Sequence, residues 1–314
     1  MNISMRYFLV VAEELSVSRA AQRLYVSQQC VSSHIKKLEQ TYQTEFFTRR
    51  PYFHLTEEGE AFRRNLLRQS VLENALSEEL DELKKKRRNK IRVGIHNTRA
   101  SLLIPRVVGE FQKQFGDVLI EIHQGDTHFF ERMLLEGELD LFLATDTIER
   151  TEFRCVFLRK EEMYLVAAPS LLRRHGLERT VATHTIEPQQ VAELPVICSP
   201  ADNYLQQKVD QQFRLKNIQI DPKIIVSTYR IKLMLAAQNS GVCFCPQMFL
   251  QVMNDINQTV PKDDRMIPVR VRGLDLATEI SIITHREAYQ SSCLRCFSEL
   301  FQQAITDVLH VEPI

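Results

Sequence analysis

The sequence predicts a mixed α/β fold in which an all-helical N-terminal segment and one long helix precede a two-lobed α/β region. Apolar residues recur at three- and four-residue spacing between residues 4 and 41, which is the period of an amphipathic helix. Residues 57–88 keep that period with far fewer apolar positions. From Ile91 onward, short apolar runs alternate with helical patterns, as they do where helices cover a parallel sheet.

The N-terminal segment is predicted to hold three helices, over residues 4–15, 19–24 and 28–41. Ala20 and Ala21 are small enough to let the second and third helices cross closely. Ser27 offers a hydroxyl cap to the third helix. The apolar residues that would lock the two helices together are Leu24, Val26, Val31, Ile35 and Leu38. This pattern is typical of a helix-turn-helix, whose second helix turns a polar face to the major groove of DNA.

A short wing and a long helix are predicted next. Pro51 prevents a helix over residues 46–55 and aromatic residues flank it, which favours two short strands. Thr56 can cap the following helix, over residues 57–88. The sparse apolar stripe of that helix consists of Phe62, Leu66, Leu72, Leu76, Leu80 and Leu83. So narrow a stripe on so long a helix predicts pairing with the same helix of a second chain. The basic run at 84–90 is interpreted as a helix cap and solvated linker, ahead of direct DNA contact.

The remaining residues predict two similar α/β lobes. Strands are expected at 91–95, 118–123, 139–144, 194–197, 223–227 and 242–245, and helices at 101–114, 129–135, 203–215 and 231–238. Pro105 is expected in the first turn of its helix. Crossings between the lobes are expected near 162–168 and 266–283. The predicted domains are 1–58, 59–90 and 91–314, with lobe I at 91–161 plus 270–314 and lobe II at 162–269.

Composition narrows the class of protein. The 314 residues are 44% hydrophobic and 25% charged, as in soluble globular proteins. Net charge is zero overall, but residues 1–90 carry 16 Lys and Arg against 12 Asp and Glu, which suits a nucleic-acid-binding arm. No apolar run is long enough for a membrane span, and no signal peptide is recognised, so a cytoplasmic protein without membrane contact is expected.

Candidate DNA-contacting residues lie on the outer face of the predicted helix-turn-helix and on its wing. Hydroxyl and amide groups suit base edges and phosphates, whereas the cations suit phosphates or the minor groove. The candidates are Ser16, Arg19, Ser27, Gln28, Gln29, Ser32, Ser33, His34, Lys36, Arg49 and Arg50.

The same stretch resembles the DNA-binding segment of LysR-type transcriptional regulators. The resemblance runs in register over residues 5–62 and rests on Ala20-Ala21, Val26-Ser27-Gln28, Ile35, Leu38-Glu39, Phe47-x-Arg49 and Leu55-Thr56-Glu57-x-Gly59. A looser resemblance follows in Ile91-x-Val93-Gly94-Ile95, Leu103-Ile104-Pro105, 137–141 and 236–246. The family often has Pro and Arg where this chain has Gln29 and Ser33, so no base preference is carried over.

The resemblance implies an architecture and a set of partners. Residues 57–88 would be a dimerising linker helix, and 91–314 would form two lobes like those of type 2 periplasmic binding proteins, with a small-molecule effector in the cleft. Members of the family usually assemble as dimers of dimers on double-stranded DNA upstream of a target gene. There the effector changes DNA bending and contact with RNA polymerase.

In such an architecture the loops at strand C-terminal ends line the cleft. The candidate effector residues are Asn97, Thr98, Arg99, Ser101, Gln124, Ser199, Asp202, Thr228 and Tyr229. Hydroxyls, amides and an arginine would suit a carboxylate ligand. The alternative is that these residues only cap helices and form turns.

The remaining motifs give little support to other functions. Cys243, Cys245, Cys293 and Cys296 could in principle hold zinc or form a redox switch, but their apolar surroundings favour buried, reduced thiols. No nucleophile elbow, Walker motif or dinucleotide loop is present, so an enzyme tethered to DNA is the weaker alternative and no cofactor is expected. A transported-solute receptor is disfavoured by the N-terminal helix-turn-helix.

Overall fold

The computed structural model describes residues 1–48, 52–84, 90–146 and 149–310. It opens with α1 (Ile3–Glu14), α2 (Val17–Leu24) and α3 (Gln28–Tyr42). The side chains of Asn2, Ser16 and Ser27 each accept a hydrogen bond from the first turn of one of these helices, which satisfies a backbone N–H that has no partner within the helix. All three helices pack around the fully buried Phe8 and Val31.

The wing and the long helix are built onto this three-helix core. Strands β1 (Phe47–Thr48) and β2 (His54–Leu55) pair antiparallel, and α4 (Glu57–Leu83) follows directly. Thr56 caps α4, because its hydroxyl accepts the N–H of Gly59 at 3.0 Å. Phe62 stacks on Phe46 at 4.4 Å between ring centroids and so ties α4 to the core. The predicted wing is therefore present, with its tip outside the described residues.

Lobe I and lobe II then follow along the chain. The first group of elements is β3 (Lys90–Gly94), α5 (Asn97–Gln114), β4 (Leu119–His123), α6 (Thr127–Leu135), β5 (Leu141–Thr145) and β6 (Phe153–Glu161). The second group is β7 (Met163–Ala167), α7 (Pro169–Arg174), α8 (Glu178–Thr183), β8 (Thr185–Ile186), α9 (Pro188–Ala192), β9 (Val196–Cys198), α10 (Tyr204–Leu215), β10 (Pro222–Ile225), α11 (Tyr229–Ala237), β11 (Val242–Pro246), α12 (Leu250–Asn257) and β12 (Ile267–Val271). The chain ends with β13 (Thr278–His285) and α13 (Ser292–Leu309).

The two lobes repeat one unit. The lobe I sheet has the order β4-β3-β5-β13-β6, and the lobe II sheet has the order β10-β9-β11-β7-β12-β8. In each, the first strand of a β-α-β-α-β run lies between the second and the third, and all three are parallel. The carboxyl ends of the three strands therefore meet at one edge of each sheet, where such folds bind ligands. None of the described helices is both long and apolar enough to cross a membrane.

Two expectations from the sequence need correction. The return to lobe I lies between Val271 and Thr278, because Arg270 still pairs with Thr185 in the lobe II sheet, so the predicted boundary at residue 270 is too early. Helix α5 begins at Asn97 rather than Ser101, so Pro105 lies inside it and not in its first turn. A proline there removes one hydrogen bond of the helix, but the buried side chains of α5 hold it against the sheet.

Two glycines give a test of the packing between the wing and α4. A Cβ at Gly59 would lie 2.1 Å from the carbonyl oxygen of Phe46, whereas a Cβ at Gly109, on the surface of α5, would meet nothing within 4 Å. We expect Gly59→Ala to lower the free energy of unfolding by about 1–3 kcal/mol. Gly109→Ala should raise it by about 0.5–1 kcal/mol, because alanine favours helix. Urea denaturation followed by circular dichroism measures both, and an unchanged Gly59→Ala protein would contradict the described contact.

Candidate functional sites

The outer face of α3 is a row of exposed polar side chains. Gln28, Gln29, Ser32, Ser33 and Lys36 are all exposed. The opposite face is buried against α1 and α2 through Val31, Ile35 and Leu38. The helix is therefore held rigidly from behind while its amides, hydroxyls and ammonium are free to meet a ligand. This is the arrangement that a recognition helix needs.

Four other predicted DNA contacts have partners within the domain. Ser16 and Ser27 serve as the caps of α2 and α3, and the guanidinium of Arg19 bonds the carbonyl oxygen of Glu14. His34 points away from the polar face, since its Nδ1 lies 2.8 Å from the Ser4 hydroxyl and its ring meets Tyr7 edge-on. The prediction of DNA contact by His34 is thus at odds with its position. Arg49 and Arg50 lie outside the described residues.

One exposed aromatic residue was missed by the sequence reading. Tyr25 ends α2 in the left-handed conformation, with φ of 55°, and 95% of its surface is exposed. A tyrosine rarely accepts either condition without a reason. The turn between α2 and α3 therefore presents a phenol ring and hydroxyl beside the recognition face. Its sequence signal was only the interruption between two helical patterns.

The predicted effector residue Arg99 instead forms a buried ion pair where the lobes join. Its guanidinium donates to the carboxylate of Glu161 at 2.6 Å, and the two side chains are 6% and 1% exposed. The other carboxylate oxygen of Glu161 accepts the N–H of Met248 in lobe II at 3.2 Å. Because both charges are satisfied inside the protein, Arg99 links the lobes where they join and is not an unpaired cation available to a ligand.

The lobe II candidates Ser199 and Tyr229 surround a lysine that the sequence reading missed. Lys232 is 2% exposed, its ammonium donates to the Ser199 hydroxyl, and it lies 4.7 Å from the centroid of the Tyr229 ring. Burial lowers the pKa of Lys232 and raises the pKa of Tyr229. In the sequence Lys232 looked like one more polar position on an amphipathic helix, so only its packing reveals it.

The other effector candidates lie on the surface. Thr98 is half-buried, and its carbonyl accepts the hydroxyl of Ser101 at 2.9 Å. The exposed ones are Asn97, Ser101, Gln124, Asp202 and Thr228. They stand at the strand ends where the sequence placed them, although Asn97 to Ser101 form the first turn of α5 and not a loop.

The two lobes face each other through a second polar contact. Tyr204, the first residue of α10, donates its hydroxyl to Asp146 at 2.7 Å, and Lys208 reaches the same carboxylate oxygen at 3.0 Å. Asp146 directly follows β5 and also accepts the N–H of Glu279 at 2.6 Å. Burial raises the pKa of Asp146, but these hydrogen bonds outweigh it and the pKa falls below its usual value. The carboxyl ends of both parallel units thus meet across one cleft.

Burial keeps the thiols of lobe II protonated. Burial raises the pKa of Cys243 to about 12 and raises that of Cys198 and Cys245 as well. Protonated thiols are poor nucleophiles and poor metal ligands. Within the described part of the chain, no group of three His, Cys, Asp or Glu side chains is placed to hold a metal ion.

Two protein-family models match the chain. Residues 4–60 match the bacterial regulatory helix-turn-helix protein, lysR family, and residues 84–306 match the LysR substrate binding domain. The chain belongs to the LysR family. Its helix-turn-helix segment coincides with α1 to the start of α4, and its substrate-binding segment spans both lobes.

The curated relatives of the chain are transcriptional regulators by name. The chain is 30% identical over 148 residues to CysB of Haemophilus influenzae, a match that covers 45% of each chain. It is 26% identical over 205 residues to SsuR of Burkholderia cenocepacia, with 65% of each chain covered. The chain thus spans about half to two thirds of the length of these relatives. YdcI of Escherichia coli, an uncharacterized regulator, is 25% identical over 292 residues, which cover 91% of this chain and 90% of YdcI.

Solved structures share the fold. ArgP from Mycobacterium tuberculosis superposes with a TM-score of 0.63 at 20% identity, covering 96% of both chains. A variant of full-length OxyR from Pseudomonas aeruginosa gives a TM-score of 0.62 at 16% identity, covering 96% of this chain and 95% of OxyR. At these identities the likeness concerns the fold alone.

The ion pair between Arg99 and Glu161 can be tested by measuring the free energy of unfolding. We expect Arg99→Met to lower the free energy of unfolding by about 3–5 kcal/mol, because it leaves the Glu161 carboxylate buried and unpaired. Adding Glu161→Gln should recover most of that loss, since an amide carbonyl still accepts the Met248 N–H. Arg106→Met is the matched control, as Arg106 is exposed on the same helix and, among the described residues, bonds only Gln251. Its change in the free energy of unfolding should stay under about 1 kcal/mol. Equal losses in the single and double variants would contradict the pairing.

Proposed function

We propose that this protein is a sequence-specific DNA-binding transcriptional regulator whose activity is controlled by a small-molecule effector bound between lobe I and lobe II. The observation that carries the proposal is the exposed polar face of α3, held from behind by a capped three-helix core. Family membership supports it, since the curated relatives are named as transcriptional regulators. A solved relative, CbnR, has been determined in complex with its target DNA.

We assign base reading to Gln28, Gln29, Ser32 and Ser33. Glutamine can pair with two edge atoms of adenine, and a serine hydroxyl can donate or accept. Lys36 and the wing arginines Arg49 and Arg50 would contact phosphates, which position the protein without reading sequence. Tyr25 adds a hydroxyl and an aromatic face at the turn. Together these groups would place α3 in the major groove and the wing beside it.

We further propose that α4 joins two chains. The first half of its apolar stripe is used within the chain, since Leu66 is buried, as is the neighbouring Val71. The second half is not, because Leu72, Leu76 and Leu80 are 47%, 58% and 43% exposed. Their spacing of four residues places them on one side of the helix. Two such helices would cover each other's leucines, so a homodimer, or a dimer of dimers, is the proposed assembly.

The effector is proposed to bind in the cleft between the parallel units of the two lobes. Asp146 and Tyr204 show that the carboxyl ends of these units face each other, and polar loops line both sides. A binding role is favoured over catalysis because the relatives are regulators by name. Action in the cytoplasm and contact with RNA polymerase follow from such a function and are part of the proposal.

DNase footprinting of the purified full-length protein on the DNA upstream of its own gene tests this function. A protected site with twofold symmetry and half-sites whole helical turns apart is expected. The footprint should be repeated over a salt series, since phosphate contacts weaken as salt rises. Absence of any discrete footprint at low salt would overturn the proposal.

Variants of α3 separate base reading from phosphate contact. Gln28→Ala and Ser32→Ala should weaken binding to the footprinted site by about 1–3 kcal/mol and leave binding to random DNA nearly unchanged. Lys36→Ala should weaken both and reduce the salt slope by about 1. Gln40→Ala is the control, because Gln40 is exposed near the other end of the same helix. Fluorescence anisotropy on both DNAs measures these effects, and equal losses on both for Gln28→Ala would contradict base reading.

The dimer interface has its own test. Leu76→Glu places a charge in the proposed apolar seam, so we expect it to shift the protein towards monomers by at least tenfold in the dissociation constant. Leu119→Glu, at an exposed leucine of lobe I, is the control. Sedimentation velocity reports the oligomeric state, and a Leu76→Glu protein that remains as fully associated as the wild type would rule out this seam.

A further inference from the structure

Lys232 is buried in lobe II, and no described carboxylate is its partner. It is 2% exposed, and no Asp or Glu oxygen of the described residues lies within 4.0 Å of its ammonium. A buried ammonium is costly unless an opposite charge or several hydrogen bonds compensate it. By contrast, Arg99 in lobe I has Glu161 as a partner. Lys232 therefore stands out as the buried cation whose charge is not neutralised within the described chain.

The hydrogen-bonding capacity of Lys232 is only partly used. An ammonium carries three N–H donors and no acceptor. In the described residues, one donor meets the Ser199 hydroxyl, and the ring face of Tyr229 supplies a second, weaker contact. The backbone N–H of Ser199 donates to the side-chain oxygen of Gln206 at 2.8 Å. This hydrogen bond fixes the position of Ser199. At least one N–H of Lys232 is left for an electron-rich group.

Lys232 lies near the carboxyl ends of the parallel strands of lobe II. It is the fourth residue of α11, and side chains on a helix lean towards the N-terminus. That places the ammonium at the carboxyl end of β9, where Ser199 begins the loop to α10. The start of α10 is also where Tyr204 reaches across to Asp146 in lobe I. Ser199 and Lys232 thus belong to the edge of lobe II that meets lobe I.

The repeat between the lobes shows that the fold does not require a lysine here. The fourth residue of α6, the corresponding helix of lobe I, is Phe130, which is 1% exposed. An apolar side chain at this place packs well under a helix of the same unit. A lysine at the matching place in lobe II therefore has a use other than packing.

We propose that Ser199 and Lys232 form an anion-binding subsite in lobe II, which takes a carboxylate or another oxyanion group of the effector. This subsite rests on the proposed function only for the identity of its natural ligand. An oxyanion would supply the negative charge and acceptors that Lys232 lacks, and the Ser199 hydroxyl would turn to donate to it. Tyr229, which is buried and whose ring centroid lies 4.7 Å from the ammonium, would shield the pair from water. Charge-assisted hydrogen bonds of this kind are the strong ones.

The test uses calorimetric unfolding of the full-length protein with sodium sulfate, phosphate or malonate, against sodium chloride at equal ionic strength. Sulfate and phosphate also stabilise proteins without binding, so the comparison with variants is decisive. For the wild type we expect a saturable rise of the unfolding temperature by about 5 °C with at least one of the three anions. Lys232→Met should weaken the affinity of the protein for that anion by tenfold or more. It should not lower the unfolding temperature in chloride, because it replaces a buried charge by an apolar side chain.

Two further variants keep the test sharp. Ser199→Ala removes one hydroxyl and retains the ammonium, so it should weaken the affinity for the anion by about threefold to tenfold. This variant also provides the test if Lys232→Met does not fold. Lys223→Met removes an exposed lysine of the same lobe and should respond as the wild type does. The subsite is overturned if no anion gives a saturable shift, or if Ser199→Ala and any folded Lys232→Met respond as the wild type does.

Footprinting of the same proteins separates this result from the proposed function. Wild-type protein without a footprint would refute DNA regulation and leave the anion comparison intact. An intact footprint with unaltered anion response in the variants would refute the subsite alone.

Discussion

The carboxylate of Glu161 holds the two lobes in one arrangement. It ends β6, immediately before the chain first crosses into lobe II, and it accepts both the guanidinium of Arg99 from lobe I and the N–H of Met248 from lobe II. All of these groups are buried, so water cannot replace either bond. The Glu161 carboxylate is therefore a buried bond between the two lobes at the place where the chain crosses from one to the other.

Arg99 and Lys232 are both buried cations, but they have different kinds of partner. Arg99 is neutralised by the protein itself, which suits a residue whose task is to hold elements together. Lys232 is buried to the same degree but has a hydroxyl and a ring face as its described partners. The first arrangement stabilises one structure, whereas the second stores an interaction that a small anion could complete. In the proposed regulator, an effector would add its binding free energy to a frame that already exists.

Local chemistry explains which parts of this structure were predictable from sequence. The helix-turn-helix was predictable, since its caps, small crossing residues and apolar period all lie in one short continuous stretch, residues 16–38. The strand–helix alternation likewise predicted the α/β class. The start of α5 was not predictable, because His96 offers no side-chain cap and Pro105 suggested a later beginning. The roles of Arg99, His34 and Lys232 depend on partners far away in sequence, such as Glu161 and Ser4. No local pattern records those partners, and the sequence therefore carries no sign that Arg99 is paired with Glu161 or that Lys232 is buried.

The position of β13 has a consequence for the order in which the protein is assembled. This strand lies between β5 and β6 in the lobe I sheet, and it pairs with both. Its contact with the end of β5 joins Asp146 to Glu279, 133 positions later. On the ribosome, the helix-turn-helix and lobe II can fold from continuous stretches, while lobe I waits as two unjoined pieces until β13 emerges. The helix-turn-helix domain can thus be complete before lobe I, although α4 leads directly from that domain into lobe I.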